Sequence, residues 1–341
     1  MDTLQYSTLQ GRAKMKKLLL ALGVAALSTG AMAQSWEFEK TVGIGIGAAF
    51  TDPYNNYYYR SADNSVTKAD YNGNILSVWG TGVLSGGGQG TFGRDGNIYI
   101  KDNNVVRKFD SNGNLLLNIG QGQFGGAGSL ATNSRGELYV ADEYAHKIRV
   151  YKTDGTFVRE FGSFGTSGQG QFAWPSGITI DNNDRVFIVE NAIPYTTERV
   201  QAFDADGNFL FQFGKEGYGA GEFQSPDQIT TDSDGWVYVG EHFGQRVSVF
   251  DNNGNFISAI GSGYGTGPGQ FNLAGVVAVL NDKTVIVDNI YNNRLDRFRF
   301  VNPSGSSAVP EPSEWAAMGL FGAGLLGLVV KNRKKNQEVA K

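Results

Sequence analysis

The sequence predicts an all-β fold, a six-bladed β-propeller closed by a strand that precedes the repeats. Self-comparison shows six related units, which together cover roughly residues 36–301. Turn glycines recur at intervals of 40, 42, 52 and 47 residues, at positions Gly73, Gly113, Gly155, Gly207 and Gly254. A period of this size, with four short strands in each unit, is typical of propeller blades. Glycine accounts for 48 of the 341 residues without a collagen-like period, which favours many tight turns.

The four strands of a blade are clearest in the fourth unit. Its runs of alternating apolar and polar residues are SGITID (176–181), RVFIVE (185–190), ERVQAFD (198–204) and NFLFQFG (208–214). In most units a D-x-N-G or D-x-D-G turn joins the third run to the fourth. Glycine supplies the positive φ of a tight hairpin there, and Asp bonds back to the local backbone. A calcium loop needs glycine at its sixth position and not its fourth, so we predict hairpins at these turns.

The last unit has only three strands of its own. They are predicted at GVVAVL (275–280), TVIVDN (284–289) and NRLDRFRF (293–300). The segment WEFEKTVG (36–43) has the pattern of an outer strand and lies before the first unit. We expect it to pair with the third strand of the last blade, because this closes the propeller and removes an exposed sheet edge.

The repeated phrases resemble the NHL repeat. The resemblance is carried by PSGITID (175–181), YVAD (139–142), RVQAFD (199–204) and GQGQF (168–172). The third to fifth units match well, the first two are degenerate, and the sixth lacks the proline. NHL repeats form six-bladed propellers, so the resemblance implies the same blade count as the repeats themselves.

The N-terminal segment, residues 1–33, has the features of a secretory signal peptide from Met15 onward. Lys16 and Lys17 form a basic region, an apolar stretch follows over 18–27, and Ala31-Met32-Ala33 is a small-residue cleavage motif. Residues 1–14 are polar and do not fit such a signal, so we expect translation to begin at Met15. We predict an exported protein with a domain organisation of signal peptide, propeller (34–301) and C-terminal tail.

The C-terminal tail has three parts in order: a linker (302–313), an apolar segment (314–330) and a basic end (331–341). Together they resemble the PEP-CTERM sorting signal, with Pro310, Glu311 and Pro312 as the motif. The apolar segment is expected to form a transmembrane helix with its basic end in the cytoplasm. The resemblance implies an exosortase-type processing enzyme as a partner. It also implies a Gram-negative host that makes exopolysaccharide and biofilm, a transient stay in the inner membrane, and a final place at the cell surface or in the matrix.

Composition and the placement of charged residues argue against several function classes. The net charge of −4 disfavours nucleic-acid binding, and the absence of cysteine excludes disulfides and thiolate chemistry. Acidic residues recur near the end of the second strand, and basic residues follow them. We expect these groups to form structural ion pairs within each blade: the acids Asp102, Asp142, Glu190, Glu241 and Asp288 with the bases Lys147, Arg199, Arg246 and Arg294.

The two histidines, His146 and His242, lie on connections between strands. Two such residues do not supply the set of ligands that a metal-dependent propeller enzyme needs, and no polar cluster at the channel mouth is evident. We therefore predict no metal, no other cofactor and no catalytic residues.

Aromatic residues in long glycine-rich loops are the better candidates for ligand binding. These loops are predicted at 162–176, 214–226 and 261–271, and an insertion at 191–198 enlarges the fourth blade on the same side. The candidate binding residues are Trp174, Tyr195, Tyr218, Phe243 and Tyr264, with Phe164 as a further exposed aromatic residue. By contrast, Phe172, Phe223 and Phe271 are expected to pack between blades.

The sequence therefore favours a surface- or matrix-associated, non-catalytic scaffold that binds a protein or a polysaccharide on one propeller face. Two alternatives remain open at this point. One is a lyase or hydrolase built on the same scaffold, and the other is a purely structural component of a biofilm matrix.

Overall fold

A computed structural model of the chain describes residues 35–43, 50–61, 63–86, 89–192 and 197–301. Within these ranges the chain is a six-bladed β-propeller of six four-stranded antiparallel sheets, and Trp36–Phe300 forms one compact unit. The predicted signal peptide, linker, apolar segment and basic tail lie outside the described residues. No helix in the described part of the chain is long and apolar enough to cross a membrane.

The first two blades follow the closing strand β1 (Ser35–Gly43). The first blade contains β2 (Phe50–Thr51), β3 (Tyr57–Arg60), β4 (Val66–Ala69) and β5 (Ile75–Trp79). The second contains β6 (Gly90–Phe92), β7 (Ile98–Asp102), β8 (Val105–Phe109) and β9 (Leu115–Ile119). Their inner strands have only two and three residues, in keeping with the degenerate sequence of these units.

The third and fourth blades are the most regular. The third contains β10 (Ala127–Thr132), β11 (Glu137–Asp142), β12 (Lys147–Lys152) and β13 (Phe157–Phe161). Two short parallel strands in the next loop are β14 (Ser163–Phe164) and β15 (Gln171–Phe172). The fourth blade contains β16 (Pro175–Ile180), β17 (Val186–Ala192), β18 (Thr197–Phe203) and β19 (Phe209–Phe213). The four strands predicted for this blade are confirmed, with bounds that differ by at most two residues.

The last two blades complete the propeller. The fifth contains β20 (Pro226–Thr231), β21 (Val237–Glu241), β22 (Arg246–Phe250) and β23 (Phe256–Ile260). The sixth contains β24 (Ala274–Val279), β25 (Val285–Asn289), a 3-10 turn (Ile290–Asn292) and β26 (Arg294–Val301). Strand β1 is the fourth strand of this sheet, in the order β1-β26-β25-β24, so the predicted closure is confirmed.

Side-chain contacts hold the closing strand on three sides. Thr41 Oγ1 donates to Asp296 in β26 over 2.9 Å, and Glu39 forms an ion pair with Arg297 at 2.8 Å. Trp36 Nε1 donates to Ser258 Oγ in the fifth blade over 3.0 Å. Lys40 Nζ donates to the carbonyl of Asn72 in the first blade over 3.0 Å. The strand thus links its own blade to both neighbours.

The hydrophobic core lies between adjacent blades. One cluster joins Tyr139 and Ile148 of the third blade to Ile188 and Phe203 of the fourth through Phe172. The three loop phenylalanines predicted to pack between blades are fully buried, at Phe172, Phe223 and Phe271. Each lies against a glycine at the end of the preceding outer strand. A Cβ on Gly214, for example, would lie 2.1 Å from the ring of Phe223.

Because successive strands alternate in direction, the connections of each blade divide between two ends of the propeller. We call one end the loop face: it carries the connections from second to third strands and from each outer strand to the next inner strand. We call the other the turn face: it carries the inner hairpins and the D-x-N-G turns. Contact between the rings of His146 and Phe164, 4.7 Å apart, shows that both kinds of loop meet on the loop face.

Candidate functional site

The loop face carries the exposed aromatic residues that the sequence singled out. Tyr218, Tyr264 and Phe243 are 72%, 71% and 57% exposed. Trp174 is half-buried, and its ring lies 6.5 Å from that of Tyr144. Tyr195 lies outside the described residues. Four of the five candidates therefore lie on the predicted face, and three of them are open to solvent.

The structure adds two aromatic residues that the sequence analysis missed. Tyr144 and Tyr291 are 65% and 71% exposed. They occupy the same repeat position as Phe243, in the connection between the second and third strands. Aligning these connections residue by residue would have found both, because the aromatic residue comes second after the polar residue that ends each second strand.

The recurring acidic residues are structural, as predicted, and form what we call staples. In blades two to five a fully buried carboxylate accepts hydrogen bonds from backbone N–H groups of the loop that enters its blade, and from an arginine of the third strand. The acid–arginine pairs are Asp102–Arg107, Asp142–Arg149, Glu190–Arg199 and Glu241–Arg246. In the fourth blade, for example, Ala173 N–H donates to Glu190 over 3.0 Å. The hydrogen bonds of these carboxylates are therefore made within the fold.

Two of the predicted partners are wrong. Lys147 pairs with Glu160, while Arg149 reaches Asp142 over 2.9 Å because side chains two residues apart share one face of a strand. In the sixth blade Asn289, and not Asp288, occupies the repeat position of Glu241. Arg294 there pairs with Asp296 at 2.9 Å.

In the third, fifth and sixth blades, the residue after the staple position on the second strand lies over the inner strands at the mouth of the central channel. Glu143 is one: its carboxylate lies 2.9 Å from where a Cβ on Gly128 of β10 would stand. Ile290 lies against Gly275 of β24 in the same way. His242 is the corresponding residue of the fifth blade, and its Nε2 lies 3.5 Å from Asp227 in β20.

The mouth therefore carries a group of titratable side chains that the sequence did not lead us to expect. Glu143, Asp227 and His242 lie there, and Lys101 is close enough to act on the charge of Glu143. These residues come from three blades, so their proximity depends on closure of the propeller and not on any local motif.

Burial makes Glu143 a weaker acid than an ordinary glutamate. Loss of hydration raises its pKa to about 7; Lys101 opposes the shift, and the charges of Asp227 and Asp142 add to it. Near neutral pH this carboxyl is therefore divided between its neutral and ionised forms, and a nearby cation would favour the ionised form.

Below the mouth, the inner strands enclose a cavity of about 130 Å³. Its lining is neutral and includes Thr51, Thr91, Ser129, Thr179 and Gln228. Its hydroxyl and amide groups can bind ordered water molecules, which need such polar partners.

The described residues contain no group of three His, Asp or Glu side chains placed to hold a metal ion. His146 packs against Phe164, and His242 faces Asp227.

Comparisons with known proteins agree with the fold. No family model matches the chain. It is 30% identical over 120 residues to Protein brain tumor of Drosophila melanogaster, a match that spans 35% of this chain and 11% of that protein. It is 29% identical over 112 residues to NHL repeat-containing protein 3 of Mus musculus, or 32% of each chain. The matches thus span about a third or less of these relatives, and they support an NHL-type propeller.

Solved structures share the propeller at low sequence identity. A Bacteroides thetaiotaomicron protein of unknown function superposes with a TM-score of 0.62 and 15% identity, over 79% of this chain and 76% of that one. A gluconolactonase from Xanthomonas campestris gives 0.57 and 13%, over 81% and 93%. A streptogramin B lyase gives 0.54 and 14%, over 80% and 100%. At such identities the likeness concerns the fold alone.

Proposed function

We propose that this protein is an exported, surface- or matrix-associated propeller that binds a protein or polysaccharide partner on its loop face without catalysing a reaction. The observation that carries the proposal is the set of exposed aromatic side chains on that face. Three of them, Tyr144, Phe243 and Tyr291, lie on short connections between the second and third strands of a blade, so little conformational entropy is lost when a partner binds.

The staples support a binding role over a catalytic one. Their carboxylates are buried and hydrogen-bonded to arginines and backbone N–H groups, which leaves them unable to act on a bound molecule. The exposed aromatic side chains, by contrast, can stack on sugar rings or fill pockets of a protein partner.

Export and sorting form the second half of the proposal. The signal peptide in residues 1–33 and the PEP motif at Pro310–Pro312 rest on the sequence, since both lie outside the described residues. In this proposal an exosortase-type enzyme processes the tail after the apolar segment 314–330 has held the chain in the inner membrane.

A glycan array and partner capture with the full chain, and with a fragment of residues 34–305, test the binding role. Replacing Tyr144, Phe243 and Tyr291 together by alanine should weaken binding at least about tenfold, because each lost aromatic contact costs roughly 0.5–1.5 kcal/mol. Tyr54→Ala is the matched control, since Tyr54 is 79% exposed on the opposite, turn face. Equal loss in both variants, or loss in neither, would contradict the proposed face. A chain that binds no partner at all would support the purely structural alternative.

The titratable group at the channel mouth is the one observation that favours a lyase or hydrolase instead. A carboxyl with a pKa near 7 is suited to proton transfer at neutral pH, and His242 with Asp227 lies at the same mouth. Turnover of lactone or ester substrates that is lost in both Glu143→Gln and His242→Ala, but retained in the triple aromatic variant, would establish this alternative.

A further inference from the structure

We infer that the channel mouth recognises a protonated primary amine, and that the partner on the loop face is a polysaccharide with free amino groups. This inference rests on the proposed binding function and names its ligand class. It is carried by hydrogen-bond acceptors at the mouth that lack donors, and by the aromatic side chains beside them.

Two of these acceptors belong to side chains that hydrogen-bond to Ser225, the residue just before the inner strand of the fifth blade. Glu198 is 7% exposed; its Oε1 accepts the N–H of Ser225 over 3.0 Å, and its Oε2 has no hydrogen-bond partner. Asn191 stands opposite Glu198 in the β17–β18 ladder. Its Nδ2 donates to Ser225 Oγ over 3.1 Å, and its Oδ1 has no partner. A buried acceptor without a donor is destabilising, so both atoms favour a ligand group that reaches them and donates hydrogen bonds.

Two carboxylates extend this acceptor group toward the channel. Asp227 follows Ser225 by two residues and accepts one hydrogen bond, from Gln228 Nε2 over 2.8 Å. Glu143 lies on the third blade, near enough for the charge of Asp227 to act on it. We call Glu143, Asn191, Glu198 and Asp227 the acceptor group.

The charge balance at the mouth decides the sign of the ligand. The acceptor group holds three carboxyls; Lys101 is the base whose charge acts on Glu143, and His242 lies beside Asp227. Two of the staple arginines, Arg199 and Arg246, already donate hydrogen bonds from all three guanidinium nitrogens. Arg246, for example, donates to Glu241 and to the carbonyls of Tyr218, Gly219 and Glu222. An ammonium group supplies three donors, no acceptor and a positive charge, and so matches what is missing.

The exposed aromatic side chains favour a sugar polymer over a peptide. Tyr144 directly follows Glu143, and Phe243 directly follows His242, so flat apolar side chains flank the mouth. They are set among glycine and polar residues, and an aromatic residue takes this position in the third, fifth and sixth blades. A protein interface is expected to present a contiguous apolar patch, whereas single stacking positions at repeated intervals suit a polymer of repeated rings.

The experiment titrates the full chain, and separately the fragment 34–305, with chitosan oligosaccharides and with chitin oligosaccharides of equal length. The two probes differ only in whether each amine is free or acetylated. We expect chitosan to bind at least about tenfold more tightly, because a charge-assisted hydrogen bond contributes roughly 1.5–3 kcal/mol. The preference should fall as salt rises from about 0.05 to about 0.3 M. Equal binding of the two probes overturns the inference and leaves the proposed function standing.

Variants locate the site. Glu143→Gln and Asp227→Asn should each reduce the preference for chitosan about tenfold and leave chitin binding unchanged. Glu222→Gln is the control on the same face, because Glu222 pairs with the exposed Lys215 away from the mouth. Thermal unfolding checks that each variant is folded, and the salt dependence of the parent tests the inference without any variant. A preference that survives both mouth variants, or a trilysine peptide that binds more tightly than chitosan, would overturn it.

Discussion

Asn289 donates its side-chain amide to Oδ2 of Asp296 over 2.8 Å, and this pair reverses the polarity of the staple in the other blades. In the fifth blade the carboxylate belongs to Glu241 on the second strand, and Ser248 of the third strand donates to it over 2.5 Å. In the sixth blade the carboxylate is on the third strand. The staple therefore requires one carboxylate beside one arginine, and either the second or the third strand can supply the carboxylate.

The reversed staple predicts the effect of a second carboxylate. Asn289→Asp would place two buried carboxylates side by side, since Asn289 and Asp296 are both fully buried. We expect a loss of roughly 2 kcal/mol in the free energy of unfolding, because one of the two must be protonated or remain in repulsion. Denaturant unfolding measures the loss. The double variant Asn289→Asp, Asp296→Asn restores a single carboxylate and should recover most of it; a single variant as stable as the parent would contradict this account.

The turn glycines predict a difference between two substitutions with the same backbone strain. Gly254 and Gly96 have φ values of 82° and 78°, so alanine at either position costs about 1 kcal/mol. A Cβ on Gly254 would also lie 2.5 Å from Phe213 of the preceding blade, whereas one on Gly96 meets nothing within 4 Å. Gly254→Ala should therefore be less stable than Gly96→Ala by about 1–3 kcal/mol. Equal unfolding midpoints for the two variants would show that the Phe213 ring moves aside without loss of stability.

Closure predicts the effect of removing Trp36–Gly43. Without β1, the edge of β26 is exposed, and Asp296 loses the hydrogen bond from Thr41. We expect insolubility or a large fall in the melting temperature. Thr41→Val is the graded control and should cost only about 1–3 kcal/mol, the usual effect of leaving one buried acceptor short of a donor. An unchanged melting temperature in the deletion variant would mean that closure contributes nothing.

The raised pKa of Glu143 predicts how stability depends on pH. Because the pKa in the folded chain is about 7, above the ordinary 4.5, the stability contributed by the neutral carboxyl is fully present below about pH 4.5 and is lost as the pH rises through about 7. Glu143→Gln keeps the group neutral at every pH. The variant should match the parent near pH 4 and exceed it by roughly 2 kcal/mol near pH 8. Denaturant unfolding of the parent and the variant at both pH values measures this difference. An equal gain in stability at both pH values would mean that the effect comes from packing and not from ionisation.

Much of the fold was predictable because it repeats. The turn glycines fix the period, and the missing fourth strand of the last unit has one candidate upstream, Trp36–Gly43, which pairs as expected. Burial of Phe172, Phe223 and Phe271 was also predictable, since each ends a loop phrase that recurs before an inner strand.

The finer contacts depend on register and closure, which a single sequence does not reveal. The prediction of Asp288 in place of Asn289 is wrong by one residue, and a shift of one residue moves a side chain to the opposite face of the strand. Glu143 and Asp227 come from blades two apart, so only the closed propeller brings them near each other. The mouth cluster was missed for this reason, whereas Tyr144 and Tyr291 were missed only because the connections were not aligned residue by residue.

The PEP motif at Pro310–Pro312 lies outside the described residues, and its two prolines predict an extended segment. Pro310 and Pro312 fix φ and remove two backbone donors, so the segment cannot continue a helix and should be extended where an enzyme can reach it. Replacing Pro310, Glu311 and Pro312 by alanine should therefore abolish processing without changing the melting temperature of the propeller. The unprocessed chain should remain in the inner membrane, held by the apolar segment 314–330.

Fractionation of a Gram-negative host that carries an exosortase tests this prediction, with the melting curve of the purified chain as the folding check. Pro303→Ala is the matched control, because it removes a proline from the same linker and leaves the motif intact. We expect this control to be processed like the parent. If the alanine variant of the motif is processed and exported equally well, the tail acts as an ordinary membrane anchor, because its hydrophobic segment and basic end would then suffice without the prolines and the glutamate.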